Sequence, residues 1–383
     1  MAQSKVLQQV VPVVQQPLEE RREPEAPAEP WRRRGRARAT ARSPRKELLK
    51  PRELKTVLDD ALVRMRRRAA GQEKPIPLPW TGLAEALGGG LWSGTAVTLV
   101  GDTGCGKTQW ALQVAAHAAA AGVPVCYVAP EAGVDQVAPR LLSIKAGHRW
   151  NELYVGKTDA ATIDSIRASY SEELKKLPFH LLPGKASRPG EPGSLAVAEW
   201  MRQRYRKTRA GRRPLLIVQD FVELVSGVGR DQEEFNELMG RVAQEARQAA
   251  REHDVAVLIV SSTSREQRHN PELSIGIHHE RRQPRGLGRG NPARLLLTGK
   301  NAGDLERESD TVLVLAQEQD QQPNVAGDDP ETWTRVWCAV AKNRSGGRAW
   351  AALRFNGSSF EEDTDATRVI PPETCDVTAP EGE

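Results

Sequence analysis

Eight consecutive residues, Gly101-Asp102-Thr103-Gly104-Cys105-Gly106-Lys107-Thr108, carry the pattern G-x-x-x-x-G-K-S/T. In such a loop the glycines let successive backbone N–H groups turn inward onto anionic oxygens where a helix begins, and the helix dipole favours negative charge at that point. Lys107 would then reach the β and γ phosphates of a nucleoside triphosphate, and Thr108 would hold Mg²⁺. The flanks give the pattern its weight. Thr95 to Val100 (TAVTLV) reads as a buried strand entering the loop, and Gln109 to Ala120 (QWALQVAAHAAA) as the helix leaving it. A second tripeptide, Gly156-Lys157-Thr158, lacks this context, because Asn151 stands where the first glycine belongs.

Hydrolysis of a triphosphate needs one carboxylate to organise Mg²⁺ and another to activate water. Asp220 follows the apolar run LLIVQ and is expected at the carboxyl end of a strand, where ligand crevices of α/β sheets lie. Glu131 ends the run Val123 to Ala129 in the same way and is the candidate base. Further along, Lys342 and Arg344 in AKNRSGG are two residues apart beside a Gly-Gly turn. In an extended strand that spacing puts both on one face. Two readings suit them: a solvated hairpin tip, or a pair of cations lent to the γ-phosphate of a neighbouring subunit's nucleotide, as an arginine finger is.

The elements that must position these groups follow from the pattern of apolar residues. Val123 to Ala129, Pro214 to Gln219, Val255 to Ser261 and Thr311 to Ala316 are nearly continuous apolar runs, as expected of strands covered on both faces. Between two of them, Asp231 to Asp254 repeats Phe235, Leu238, Met239, Val242 and Ala246 on one helical face, with Asp231 and Glu234 spaced as a capping box. Thr334 to Lys342 and Ala349 to Phe355 read as an antiparallel extension. The expected fold class is α/β, a mostly parallel, doubly wound sheet. No internal repeat is visible.

Four regions are expected. Residues 1–50 are rich in Pro, Glu, Gln and Arg and read as a basic disordered arm, with WRRRGRARATARSPR suited either to phosphate backbones or to plain solvation. Residues 51–74 hold an amphipathic helix with Leu54, Val57, Leu58, Leu62 and Met65 on one face. Residues 75–362 form the globular domain, and 363–383 an acidic disordered tail.

The net charge of +5 suggests an anionic partner, and the 39% hydrophobic content supports a sizeable core. No run approaches the roughly twenty apolar residues of a membrane span, and no apolar signal core follows the N-terminus, so a cytoplasmic protein is expected. The 4 cysteines, Cys105, Cys126, Cys338 and Cys375, form no C-x-x-C pair, and His269, His278 and His279 have no matched acid or thiol, so no zinc site or disulfide framework is expected.

From about residue 77 to 362 the chain resembles the ATPase domain of DnaB-type replicative helicases, a RecA-like family of P-loop NTPases. The match is serial. LPWTGLAEALGGGLWSG resembles the opening segment, GDTGCGKT the phosphate loop, and PEAGVDQVAPRLLS the segment of the catalytic glutamate, falling on Glu131. LLIVQDFVEL resembles the metal-binding strand, falling on Asp220; AGDLERESDTVLVL resembles the segment before the next core strand, and AKNRSGG the lysine and arginine-finger hairpin, falling on Lys342 and Arg344. The resemblance implies ATP and Mg²⁺ as cofactors, a homo-oligomeric ring, usually a hexamer, with ATP at subunit interfaces, single-stranded DNA in its channel, and replication partners such as a primase or loader. Three departures accompany it. Ser262 stands where the family has a glutamine that senses the γ-phosphate. The basic arm replaces the family's helical N-terminal domain, with the helix at 51–74 where the family has a linker helix that docks on the adjacent subunit. The segment 264–298 is long and carries Arg265, Arg268, Arg281, Arg282, Arg285, Arg289 and Arg294 among glycines and prolines, suited to tracking a phosphate backbone without reading sequence. Recombination ATPases of the RadA/Sms type are a second resemblance, through GGGLWSGTAVTLVGDTGCGKT and the KNR tripeptide, without their cysteine ribbon. Ser262 also leaves open a nucleotide-switched DNA-binding or loading protein with little hydrolysis.

Overall fold

The computed structural model describes residues 52–129, 134–183, 193–206, 214–220, 232–262, 292–295, 307–317 and 333–370. The chain divides into two compact units, Met1–Asp60 and Ala61–Glu383. In the first unit the described residues are 52–60. There the helix α1 (Leu54–Ala69) begins, Arg52 pairs with Asp60, and Leu54, Val57 and Leu58 are exposed. The expected arm at 1–50 lies outside the described residues.

The second unit is built on a nine-stranded sheet in the order β3-β2-β4-β5-β1-β6-β7-β8-β9. β1 (Ala96–Gly101), β2 (Val125–Ala129), β3 (Phe179–Pro183), β4 (Leu216–Asp220), β5 (Ala256–Ser262) and β6 (Thr311–Gln317) are parallel to their neighbours. β7 (Thr334–Asn343), β8 (Arg348–Phe355) and β9 (Phe360–Ile370) continue the sheet antiparallel. The mostly parallel α/β fold with an antiparallel C-terminal extension is the one the apolar runs predict.

Both faces of the parallel strands are covered, which is why their sequences are apolar throughout. On one face Leu99, Val218, Leu258 and Leu315 meet Trp110, Leu112 and Val114 of α3 (Lys107–Ala120). On the other, Ile217, Val257 and Ile259 meet Val197 and Met201 of α7 (Ser194–Tyr205) and Ala246, Ala249 and Ala250 of α8 (Gln232–His253). Each fully buried Leu, Ile or Val of these clusters stabilises by about 1.5–3 kcal/mol relative to an exposed position. Three further helices, α4 (Val134–Ala146), α5 (Trp150–Tyr154) and α6 (Ala160–Lys175), lead from β2 to β3. The second Gly-Lys-Thr lies in the turn between α5 and α6, with no strand before it. Among the described residues no helix is long and apolar enough to cross a membrane.

The opening segment is anchored by its aromatic residue. Trp80, which precedes α2 (Thr81–Ala86), stacks on Trp110 with ring centroids 4.9 Å apart and donates from its indole nitrogen to the Phe360 carbonyl. Residues 363–370, expected as loose tail, instead complete β9. Their acidity misleads because it is met across the sheet: Asp363 pairs with Arg335 at 3.6 Å. Just before them, Glu362 accepts from the Gly82 and Leu83 amides at the start of α2, and Glu361 pairs with Arg354 at 3.8 Å. Residues 371–383 lie outside the described residues.

Candidate nucleotide-binding site

The phosphate-loop pattern falls where the fold makes a crevice. β1 ends at Gly101, flanked in register by Ser262 of β5 and Leu315 of β6, while its successor β2 lies beyond β5 and β4. This is the carboxyl-end switch point at which open α/β sheets bind ligands. Gly104 and Gly106 have φ of +87° and +89°, left-handed values that other residues adopt at a cost. At Gly106 there is a steric demand as well, since a Cβ would come within 2.7 Å of Phe360 Cζ. Gly106 caps α3, and the helix begins at Lys107 with its N-terminus toward the loop.

Lys107 is 3% exposed, and its ammonium donates to the carbonyls of Gly101 at 2.9 Å and Asp102 at 2.7 Å. An ammonium held by neutral carbonyls of its own loop gains by exchanging them for anionic oxygens, because charge-assisted hydrogen bonds are the stronger ones. Cys105 beside it is buried, and burial pushes its thiol up to about 11. It fills space in the loop rather than serving as a nucleophile.

Asp220, the last residue of β4, is 3% exposed. Thr108 Oγ1 donates to its Oδ1 at 3.3 Å, and the Tyr127 hydroxyl donates to its Oδ2 at 2.6 Å. Complete burial, with the Asp220 carboxylate alongside, pushes the Tyr127 phenol well above its usual range, so it stays a donor. A hydroxyl and a carboxylate converging beside the phosphate loop form the hard-oxygen set that suits Mg²⁺. Sequence reasoning found Asp220 and Thr108 and missed Tyr127. The available signal was a single phenol inside the otherwise aliphatic run VPVCYVA.

Glu131 lies outside the described residues; the strand leading toward it, β2, ends at Ala129. Of the loop arginines, Arg265, Arg268, Arg281, Arg282, Arg285 and Arg289 also lie outside them, and Arg294 falls in a single 3-10 turn, Pro292–Leu295. The histidines His269, His278 and His279 are likewise outside. Ser262 is brought directly beside Gly101, the first residue of the phosphate loop.

Lys342 and Arg344 sit at the other end of the sheet. Asn343, between them, pairs with Thr311 at the start of β6, and Thr311 pairs with Val97 near the start of β1. Gly101 pairs with Leu315, so about 13 Å of strand separates the cations from their own chain's phosphate loop. The two cations share one face: Lys342 Nζ donates to the Arg307 carbonyl at 3.4 Å and an Arg344 terminal nitrogen donates to the same oxygen at 3.2 Å. The other terminal nitrogen of Arg344 lies 3.2 Å from Asp310 Oδ1, an acid that sequence reasoning also missed.

A family model described as "DnaB-like helicase C terminal domain" matches residues 80–362. Among solved structures, an isolated ATPase domain shares 18% identity at a TM-score of 0.58, covering 79% of this chain and 97% of that one. A DnaB-like replicative helicase, described together with its interactions with primase, shares 18% identity at a TM-score of 0.60, covering 79% of this chain and 68% of that one. At that identity the likeness establishes the RecA-like fold. DNA repair protein RadA of Rickettsia bellii is 31% identical and that of Rickettsia felis 29% identical, each over 118 residues, 27% of this chain and 26% of the relative. The chain thus spans about a quarter of the length of these curated relatives. With a family model covering most of its length, built on a loop, metal-side carboxylate and distal cation pair in this geometry, the chain belongs to the family of DnaB-like helicase C-terminal domains.

Proposed function

We propose that this chain is an ATP-hydrolysing DNA translocase of the DnaB-like type, working as a cytoplasmic homo-oligomeric ring with nucleotide at subunit interfaces and single-stranded DNA in the channel. The observation that carries the reading is the placement of Lys342 and Arg344 at the opposite end of the sheet from their own phosphate loop. Cations so placed serve a neighbour's γ-phosphate in a head-to-tail ring, where each interface is heterologous.

In this reading the loop amides of Gly101 to Thr108 hold the phosphates, and Lys107 leaves its two carbonyls to bind them. Thr108 and Asp220 would hold Mg²⁺, which when bound neutralises charge on the β and γ oxygens. Tyr127 keeps Asp220 oriented. Glu131 takes a proton from the attacking water, and Arg344 with Lys342 of the adjacent subunit stabilises the charge that develops on the transferred phosphoryl. The arginines from Arg265 to Arg294 follow the DNA backbone. A primase or loader is the expected partner class.

Ser262 beside Gly101 favours a second reading, a nucleotide switch with scant turnover, because a serine hydroxyl falls short of the γ-phosphate where a glutamine amide reaches. The two are separated by steady-state ATPase with and without single-stranded DNA, paired with native mass measurement in nucleotide. A ring whose turnover rises strongly with DNA supports the motor. A DNA-binding ring with unstimulated, negligible turnover overturns it in favour of the switch.

A further inference from the structure

Asp310, immediately before β6, uses every hydrogen-bonding group it has. Its amide donates to the Ala96 carbonyl at 2.8 Å, and its Oδ2 accepts from the Ala96 amide at 3.0 Å. Its carbonyl accepts from the Arg344 amide at 3.0 Å, and its Oδ1 faces the Arg344 guanidinium at 3.2 Å. The residue is 7% exposed, whereas the Arg344 side chain is 41% exposed. A second cation, Arg251, approaches the same Oδ1 at 3.8 Å from a side chain that is 56% exposed.

A guanidinium is a rigid planar fork on a flexible stem, so fixing two of its nitrogens fixes its plane and direction. Here one terminal nitrogen is held by the Asp310 carboxylate and the other by the Arg307 carbonyl, while much of the group faces outward. The carboxylate that holds it is in turn pinned to the first residue of β1, a core strand. An arginine that must meet a phosphoryl group on another subunit cannot be oriented by its target beforehand, and preorganisation is what makes such a charge effective.

We infer that Asp310 is the positioning residue of the finger, aiming Arg344 at the nucleotide held by the neighbouring subunit. The inference rests on the shared-site reading above. Asp310 acts on the site its subunit lends a finger to, and not on the site its subunit holds. Asp310→Asn is the informative change: the amide oxygen can still accept from Ala96, but an NH₂ group now confronts Arg344. ATPase of this variant alone falls at least tenfold in kcat, with KM for ATP within about twofold.

Mixtures give the decisive reading. With Lys107→Ala protein, which supplies an intact Asp310 and Arg344, the Asp310→Asn protein recovers activity, because its own phosphate loop is sound. With Arg344→Ala protein it does not recover, because neither partner offers an aimed finger. The reverse pattern, recovery with Arg344→Ala and none with Lys107→Ala, overturns the inference and makes Asp310 a support of its own subunit's loop. A control mixture of Arg344→Ala with Lys107→Ala keeps the two ideas apart: if it fails, the shared site fails, and if it recovers while the Asp310 pattern is reversed, only the positioning role fails. Should Asp310→Asn unfold, as its circular dichroism would show, Asp310→Glu retains both acceptor oxygens and decides through the same two mixtures.

Discussion

The Tyr127 hydroxyl donates to Asp220 Oδ2 across 2.6 Å, from a strand whose register pairs Tyr127 with Val218. The acid two residues further along β4 therefore lies on the same face as Val218, within reach of the phenol. One oxygen of Asp220 is thereby fixed from β2 and the other meets Thr108 of α3.

Removing the phenol oxygen tests that division of labour. Tyr127→Phe leaves a buried carboxylate oxygen one donor short, which costs about 1–3 kcal/mol in denaturant-induced unfolding. Hydrolysis by this variant requires a higher Mg²⁺ concentration for half-maximal rate, measured by titrating the metal at saturating ATP. An unchanged Mg²⁺ dependence would make Tyr127 a packing residue only.

The two left-handed glycines of the loop separate conformational from steric demand. Gly104→Ala meets open space and carries the backbone cost alone, about 1–2 kcal/mol. Gly106→Ala adds a collision with Phe360 and is the more destabilising of the pair, with a lower thermal midpoint and no measurable nucleotide binding. Equal midpoints for the two variants would contradict the contact with Phe360.

Alkaline pH bears on the buried thiols. Burial raises Cys105 from 9.0 to about 11 and Cys126 from 9.0 to about 12, and it raises Cys338 as well. The unfolded chain loses these protons first, so the stability they contribute is complete below about pH 9 and declines as pH climbs toward the folded values. For Cys105 the loss is on the order of 2–3 kcal/mol between pH 9 and 11. Chemical denaturation across that range is expected to show a shallower decline for Cys105→Ala than for the parent chain; parallel curves would mean that the thiol is solvated.

Much of this was readable from the chain itself, and the unread parts share a cause. The loop, Thr108 and Asp220 announce themselves because each depends on local spacing, a glycine pattern or an acid ending an apolar run. Tyr127 and Asp310 do not, since their meaning comes from partners 93 and 34 residues away that only the sheet register brings together. Residues 363–370 were misread for the same reason: the cation facing Asp363 is Arg335, on another strand. Apolar periodicity reports burial, whereas compensated charge is visible only after the strands are paired.

The central claim is that one subunit's loop and another's finger make a single site. Arg344→Ala and Lys107→Ala proteins, each inactive alone with losses of about 10³-fold or more in turnover, are mixed under conditions that exchange subunits, and DNA-stimulated ATPase is measured against their ratio. Recovery that peaks near equal mixing is predicted, because interfaces then form that pair an intact Lys107 with an intact Arg344. Activity that stays at the level of the separate variants at every ratio, in rings shown by native mass to be mixed, would contradict the account.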